Sequence, residues 1–85
     1  MKAITTQTWG ANRSHIQATD GDGNSARVPY DYALTFHAQH AAACRALCEK
    51  MNWHGTLQGG TLLKHGQFSG MVWVWEQERC SIHIA

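Results

Sequence analysis

The chain has almost no net charge: seven Lys and Arg stand against six Asp and Glu over 85 residues, a formal +1. That balance supplies neither the basic field of a typical nucleic-acid binder nor the acidic field of a nucleic-acid mimic. A partner must instead be recognised by shape, aromatic groups and local polarity. Long apolar runs are also missing, and the longest, Met71 to Trp75, falls far short of the roughly 20 residues that cross a bilayer. After its one lysine the amino-terminal MKAITTQTW alternates polar and apolar residues, so no secretory signal is read there and the cytoplasm is the expected location. Three cysteines, with Cys44 and Cys48 one helical turn apart, do not make a disulfide framework. Reduced thiols are expected, with Cys80 the most exposed. Proline occurs once, and no repeat, linker or low-complexity stretch appears.

What is present is a small sheet with one helix. Lys2 to Trp9 is rich in β-branched residues and stops at Gly10, Arg13 to Thr19 reads as a second strand, and Ser25 to Tyr30 as a third. Between the last two lies Asp20-Gly21-Asp22-Gly23-Asn24, in which nearly every residue tolerates positive φ, so a tight hairpin is expected. Pro29, lacking an N–H, places the end of the third strand near a sheet edge. Phe36 to Asn52 is the only long helical pattern, with Thr35 as its N-cap and alanines at 41 to 43 favouring helix. Thr56 to Leu63, interrupted by Gly59-Gly60, and Met71 to Glu76 supply two more strands, and Arg79 to Ile84 alternates well enough for a short sixth strand or an ordered tail. A chain of this size buries only about 60–65% of its unfolded surface. Residues 1–85 therefore read as one domain, an α+β two-layer sandwich with a mainly antiparallel sheet in βββ-α-ββ order and the helix on one face.

The helix stripe carries His37, His40, Cys44 and Cys48 beside Leu47 and Met51, while Gln39, Arg45, Glu49 and Lys50 lie off it at about 100° per residue. Ligand types at these spacings raise the question of zinc, yet residues 37 to 48 span about 16 Å at 1.5 Å per residue, so four ligands on one straight helix cannot close a tetrahedron. The stripe reads as core, with the thiols acting as small hydrophobes and His37 or His40 at its margin. Asp20, Asp22, Asn24 and Asp31 fall at positions 1, 3, 5 and 12 of an EF-hand-like loop. However, Ser25 stands where the turn needs Gly, and the last ligand is Asp instead of Glu. A plain turn is expected, and no metal or cofactor. Cysteines buried on a helix lack the exposed electropositive niche of a nucleophile, and Gly59-Gly60 lacks a phosphate-loop context, so no enzyme is expected.

The aromatic signal is stronger. In Met71-Val72-Trp73-Val74-Trp75 odd and even residues point to opposite faces, and the single helix can cover only one. If it covers the tryptophans, they are core; if it covers the valines, Trp73 and Trp75 line an exposed face fit for a partner, a second copy or a stacked base. The candidate partner-binding set is Trp73, Trp75 and Met71 with Lys64, His65, Arg13 and Arg27. The working surface is expected opposite the helix, on whichever set points away from Leu47, with the Gly59-Gly60 and Lys64 to Gly70 segments as the fallback.

MKAITT at the start, DGDGN in the hairpin, PYD before the helix, LCEKMNWHGTLQGG across its end and the late VWVW strand together resemble a family of small uncharacterised proteins of bacteriophages, prophages and plasmids. The likeness covers most of residues 1–75, and the Asn12 loop, the Lys64 to Gly70 turn and the tail after Glu76 depart from it. It transfers no catalytic residue. It implies a setting in mobile elements, inside a bacterial host, where compact proteins often inhibit defence systems, anti-CRISPR proteins being the familiar case. The expected function is non-catalytic: docking on a bacterial defence complex, with a homodimer compatible. The alternative is a nucleic-acid or nucleotide binding module that stacks bases on the sheet tryptophans with help from Arg13, Arg27 and Lys64.

Overall fold

The computed structural model describes residues 2–9, 14–78 and 82–83. Five strands form one antiparallel sheet: β1 (Ile4–Trp9), β2 (His15–Thr19), β3 (Ser25–Pro29), β4 (Leu57–Lys64) and β5 (Gln67–Trp75), in the spatial order β3-β2-β1-β5-β4. Helix α1 (Phe36–Met51), the one α-helix among the described residues, joins the two hairpin systems and packs on one face. This is the α+β architecture expected from the βββ-α-ββ order.

Local chemistry explains each boundary. Between β2 and β3 the Asp20 carboxylate accepts from the amides of Asp22 at 2.8 Å and Asn24 at 3.3 Å and from the Asn24 side chain at 2.8 Å. Gly21 and Gly23 take φ of 82° and 92°, so the expected hairpin turn forms, held by the Asp20 N–H to the Asn24 carbonyl at 3.3 Å and by the bonds to the Asp20 carboxylate. Those hydrogen bonds, the Asn24 side-chain amide first, hold the Asp20 carboxyl below the usual carboxylate range. Helix α1 starts at Thr35, whose hydroxyl accepts from the Ala38 amide at 3.2 Å. It ends where Asn52 turns left-handed (φ 58°) and Trp53 N–H reaches back to the Cys48 carbonyl at 2.9 Å. The β4–β5 turn is the pair His65-Gly66, both at positive φ (54° and 78°), the two-residue geometry that matches strand twist. Strand β5 therefore begins at Gln67, four residues before the apolar alternation that marks it in the sequence, and a register shift between Leu62 and Leu63 absorbs the mismatch. The Arg79 to Ile84 stretch lies largely outside the described residues; Glu76–Glu78 before it is a turn of 3-10 helix.

The core is thin. Ile4, Ile16, Ala18, Ala43 and Leu47 are essentially sealed, with Cys44, Cys48, Met71 and Trp75 close behind. Burial on α1 covers Gln39, His40, Ala43, Cys44, Leu47 and Cys48, which shifts the expected stripe by part of a turn: His37 is exposed and Gln39 is inside. Gln39 is buried because the Asp31–Leu34 connection needs partners, and its side chain accepts from Asp31 N–H at 2.8 Å and donates to the Leu34 carbonyl at 3.5 Å.

Candidate functional site

The register fixes which sheet face each residue serves. Ile4 pairs with Trp73 and Thr6 with Met71, while Leu57, Gly59 and Thr61 on β4 pair with Trp75, Trp73 and Met71. All of these residues point to the helix side. Met71 and Trp75 are 3% and 2% exposed, so the exposed aromatic face considered for Met71, Trp73 and Trp75 does not form. Trp75 is a core residue, packed edge-on to Trp53 at 6.2 Å, with its indole N–H donating to the Lys2 carbonyl at 3.1 Å. The tryptophans turn inward, where their indole N–H groups find the Thr6 hydroxyl and the Lys2 carbonyl and their rings join the core, and Val72 and Val74 take the other face.

That other face is polar. Gln7, Gln17 and Arg27 form one cross-strand row, and Val72, Thr5, Thr19 and Ser25 form another, as expected for a half-solvated antiparallel sheet. Arg27 is exposed there, and His65 is exposed in the β4–β5 turn. Arg13 and the side chain of Lys64 lie outside the described residues. The sequence-selected set is thus dispersed over the core, the open face and a distant turn.

The concave feature lies elsewhere. Helix α1 packs over β3, β2 and β1 and barely reaches β5, leaving the helix side of β4 open and the neighbouring Trp73 only half covered. Between the β4–β5 ledge and α1 runs a groove of about 560 Å³, with Trp73, Leu57 and Trp53 among its apolar lining and Arg45 and Glu49 on the helix flank. Its volume falls within the roughly 300–1,000 Å³ of ligand-binding clefts. Trp73 lies across Gly59, where a methyl group would sit 2.5 Å from ring carbon Cζ3. Glycine at 59 is therefore a close-approach position, and it lets the indole lie flat on the ledge. Gly59→Ala should displace the Trp73 ring while leaving far-UV circular dichroism in place, read as a shift in tryptophan emission.

Cys44 and Cys48 line the groove's inner wall as free thiols. Burial, reinforced by the neighbouring Cys48, pushes the Cys44 thiol up to about 12, which favours the protonated, weakly nucleophilic form at neutral pH. Native protein should leave Cys44 unmodified by iodoacetamide over a time in which urea-unfolded protein reacts fully, as mass spectrometry will show.

Beneath the groove sits a polar knot. The Thr6 hydroxyl meets His40 Nδ1 at 2.8 Å, accepts from Trp73 Nε1 at 3.1 Å and donates to the Met71 carbonyl at 3.4 Å. Thr6 accepts from the Trp73 ring, the direction of its contact with His40 follows the tautomer of that ring, and His40 Nε2 is a buried atom with no hydrogen-bond partner among the described residues. His40 is 1% exposed and also borders a second cavity of about 140 Å³ with Thr8, Tyr30 and Ser69, a polar space large enough for ordered water. The sequence places His40 at the margin of the core, whereas a threonine on β1 that reads there only as a β-former is its anchor.

Burial pulls the His40 imidazole below its ordinary value of 6.5, with His37 adding a smaller push in the same direction. The folded chain therefore holds His40 neutral while the unfolded chain takes up a proton as pH falls through 6.5. The resulting stability is present above that value and is lost progressively below it. Denaturant midpoints should fall from pH 7 towards pH 5, and His40→Gln should flatten that slope; the loss tied to Asp20 begins only lower, near its ordinary 3.8.

Among the described residues no group of three or more His, Cys, Asp or Glu is placed to hold a metal ion, and no described helix is long and apolar enough to cross a membrane. The chain matches no family, no curated protein and no solved structure in the comparisons made.

Proposed function

We propose that the chain is a non-catalytic binding protein that engages a protein partner through the α1/β4–β5 groove. We further propose, from the resemblance to phage and plasmid proteins, that the partner belongs to a bacterial defence complex. The observation that carries the binding reading is the groove itself: half-buried Trp53, Trp73 and Leu57 on its floor beside the exposed charges of Arg45 and Glu49. Aromatic and arginine side chains around a concave apolar centre are the usual makings of an interface hot spot. An apolar side chain on an extended segment of the partner would fill the floor, and polar groups beside it would meet the opposite charges of the helix flank.

The test is a plaque assay in bacterial strains that each carry one defined defence system. Expression of the chain should restore plating of a targeted phage in at least one strain, and Arg45→Glu, an exposed change that leaves the core alone, should weaken the effect at least tenfold. Failure to restore plating with any system, or full activity of Arg45→Glu together with a Trp53→Ala variant that still folds, would sink the reading. Salt-dependent retention of oligonucleotides by the purified chain would instead support the nucleic-acid alternative, which would have to use the polar face with Gln7, Gln17 and Arg27.

A further inference from the structure

The two edges of the sheet are built differently. Edge β3 is five residues long, carries Arg27 and ends on Pro29, which are devices that discourage another strand from pairing. Edge β4 is eight residues long, LQGGTLLK, with no proline, no charge before Lys64 and no other described strand beyond it. Its outer main-chain donors and acceptors are a template for an antiparallel strand. Leu63 is 62% exposed on this edge, and Gly59 and Thr61 on the helix side of β4 are exposed as well.

We propose that β4 pairs with β4 of a second copy across a twofold axis at Gly60, joining two five-stranded sheets into one. The strand is self-complementary in this register. On the helix side Leu57 falls opposite Leu63 of the second copy and Gly59 opposite Thr61. On the open side Gln58 falls opposite Leu62, and Gly60 meets Gly60. Lys64, the strand's one charged residue, falls opposite Thr56 and not opposite another lysine, so no like charges face each other. Two-residue periodicity keeps both helices on the same side of the joined sheet. Because Leu57 lines the groove, Leu63 of the second copy walls the groove's open side, and each groove is completed by the other chain. Strand addition of this kind draws its strength from main-chain hydrogen bonds more than from area. The inference stands on the edge and not on the identity of any partner, so it survives failure of the defence reading.

Gly60 supplies the test. A β-carbon there meets nothing within 4 Å in the single chain, so Gly60→Lys should leave the protomer folded by circular dichroism. In the pair, however, it sets two ammonium groups face to face on the axis. Sedimentation equilibrium at about 100 µM should give a dimer for the parent chain and a monomer for Gly60→Lys, with Leu63→Lys weakening association as well. In a Cys80→Ser background, Gly60→Cys should form an intermolecular disulfide on mild oxidation, because directly opposed Cα atoms about 4.5–5.5 Å apart fall within disulfide range. A monomeric parent chain at that concentration overturns the proposal. So does a dimer that survives Gly60→Lys and gives no cross-link through Gly60→Cys, since it would be built on another surface.

Discussion

Replacing Thr6 with valine should lower stability by about 2–4 kcal/mol, a large share of what a domain of this size possesses. The shape of the side chain is kept and one hydroxyl is lost, but that hydroxyl is the shared partner of His40 Nδ1, Trp73 Nε1 and the Met71 carbonyl. Thr6 is fully buried, so water cannot take its place. Each buried donor left unpaired costs about 1–3 kcal/mol, and the half-buried Trp73 ring recovers some of that from solvent. Urea titration at pH 7.5 checks the figure. Thr6→Ser, which keeps the hydroxyl and loses only a methyl, should retain most of the stability, and equal losses in the two variants would show that packing and not hydrogen bonding holds the knot.

The same residue shows where the sequence was readable and where it was not. Element order, the hairpin at Asp20–Asn24, the Thr35 cap and the helix to within one residue follow from local chemistry: residues that tolerate positive φ, a side-chain oxygen before an apolar run, a run of alanines. Which sheet face the helix takes does not follow locally, because Val72 and Val74 are as suited to a core as Trp73 and Trp75. The decision is made by what the tryptophans meet across the sheet, namely Thr6 for the Trp73 indole and the Lys2 carbonyl for that of Trp75. Those partners lie 67 and 73 residues away in the chain. Gln39 escapes periodicity for a similar reason, since the partners that offset its burial sit on the Asp31–Leu34 loop, whereas His40, which periodicity does place on the buried stripe, finds its partner on β1. The groove was half legible: the Gly59-Gly60 pair marks an interruption in the strand, but that Gly59 is the close-approach position and Trp73 the approaching group depends on the β4–β5 register.

Gly70→Ala should be still more damaging, at more than about 3 kcal/mol, and is expected to leave little folded protein at 37 °C. Gly70 is buried in β5 at φ 156°, a conformation rarely taken by residues with a side chain. A methyl group there would overlap the carbonyl oxygen of Thr6 on β1 and would meet Cγ of Gln7 at 2.9 Å. The obstacle is backbone, so no rotamer change relieves it. The strands must part, and β1–β5 is the seam that joins the two halves of the sheet and brings Thr6 against Met71 and Trp73. Overpacking alone commonly costs about 1–3 kcal/mol, and here the loss of the Thr6 knot adds to it. Gly60→Ala is the matched control, with open space at the β-carbon and an expected change of less than about 1 kcal/mol. Thermal melts of the pair decide the matter. If the two variants melt within a few degrees of each other, the β1–β5 seam is loose enough to absorb a methyl group, and the tight coupling of Thr6 to Trp73 that shapes the groove floor is wrong.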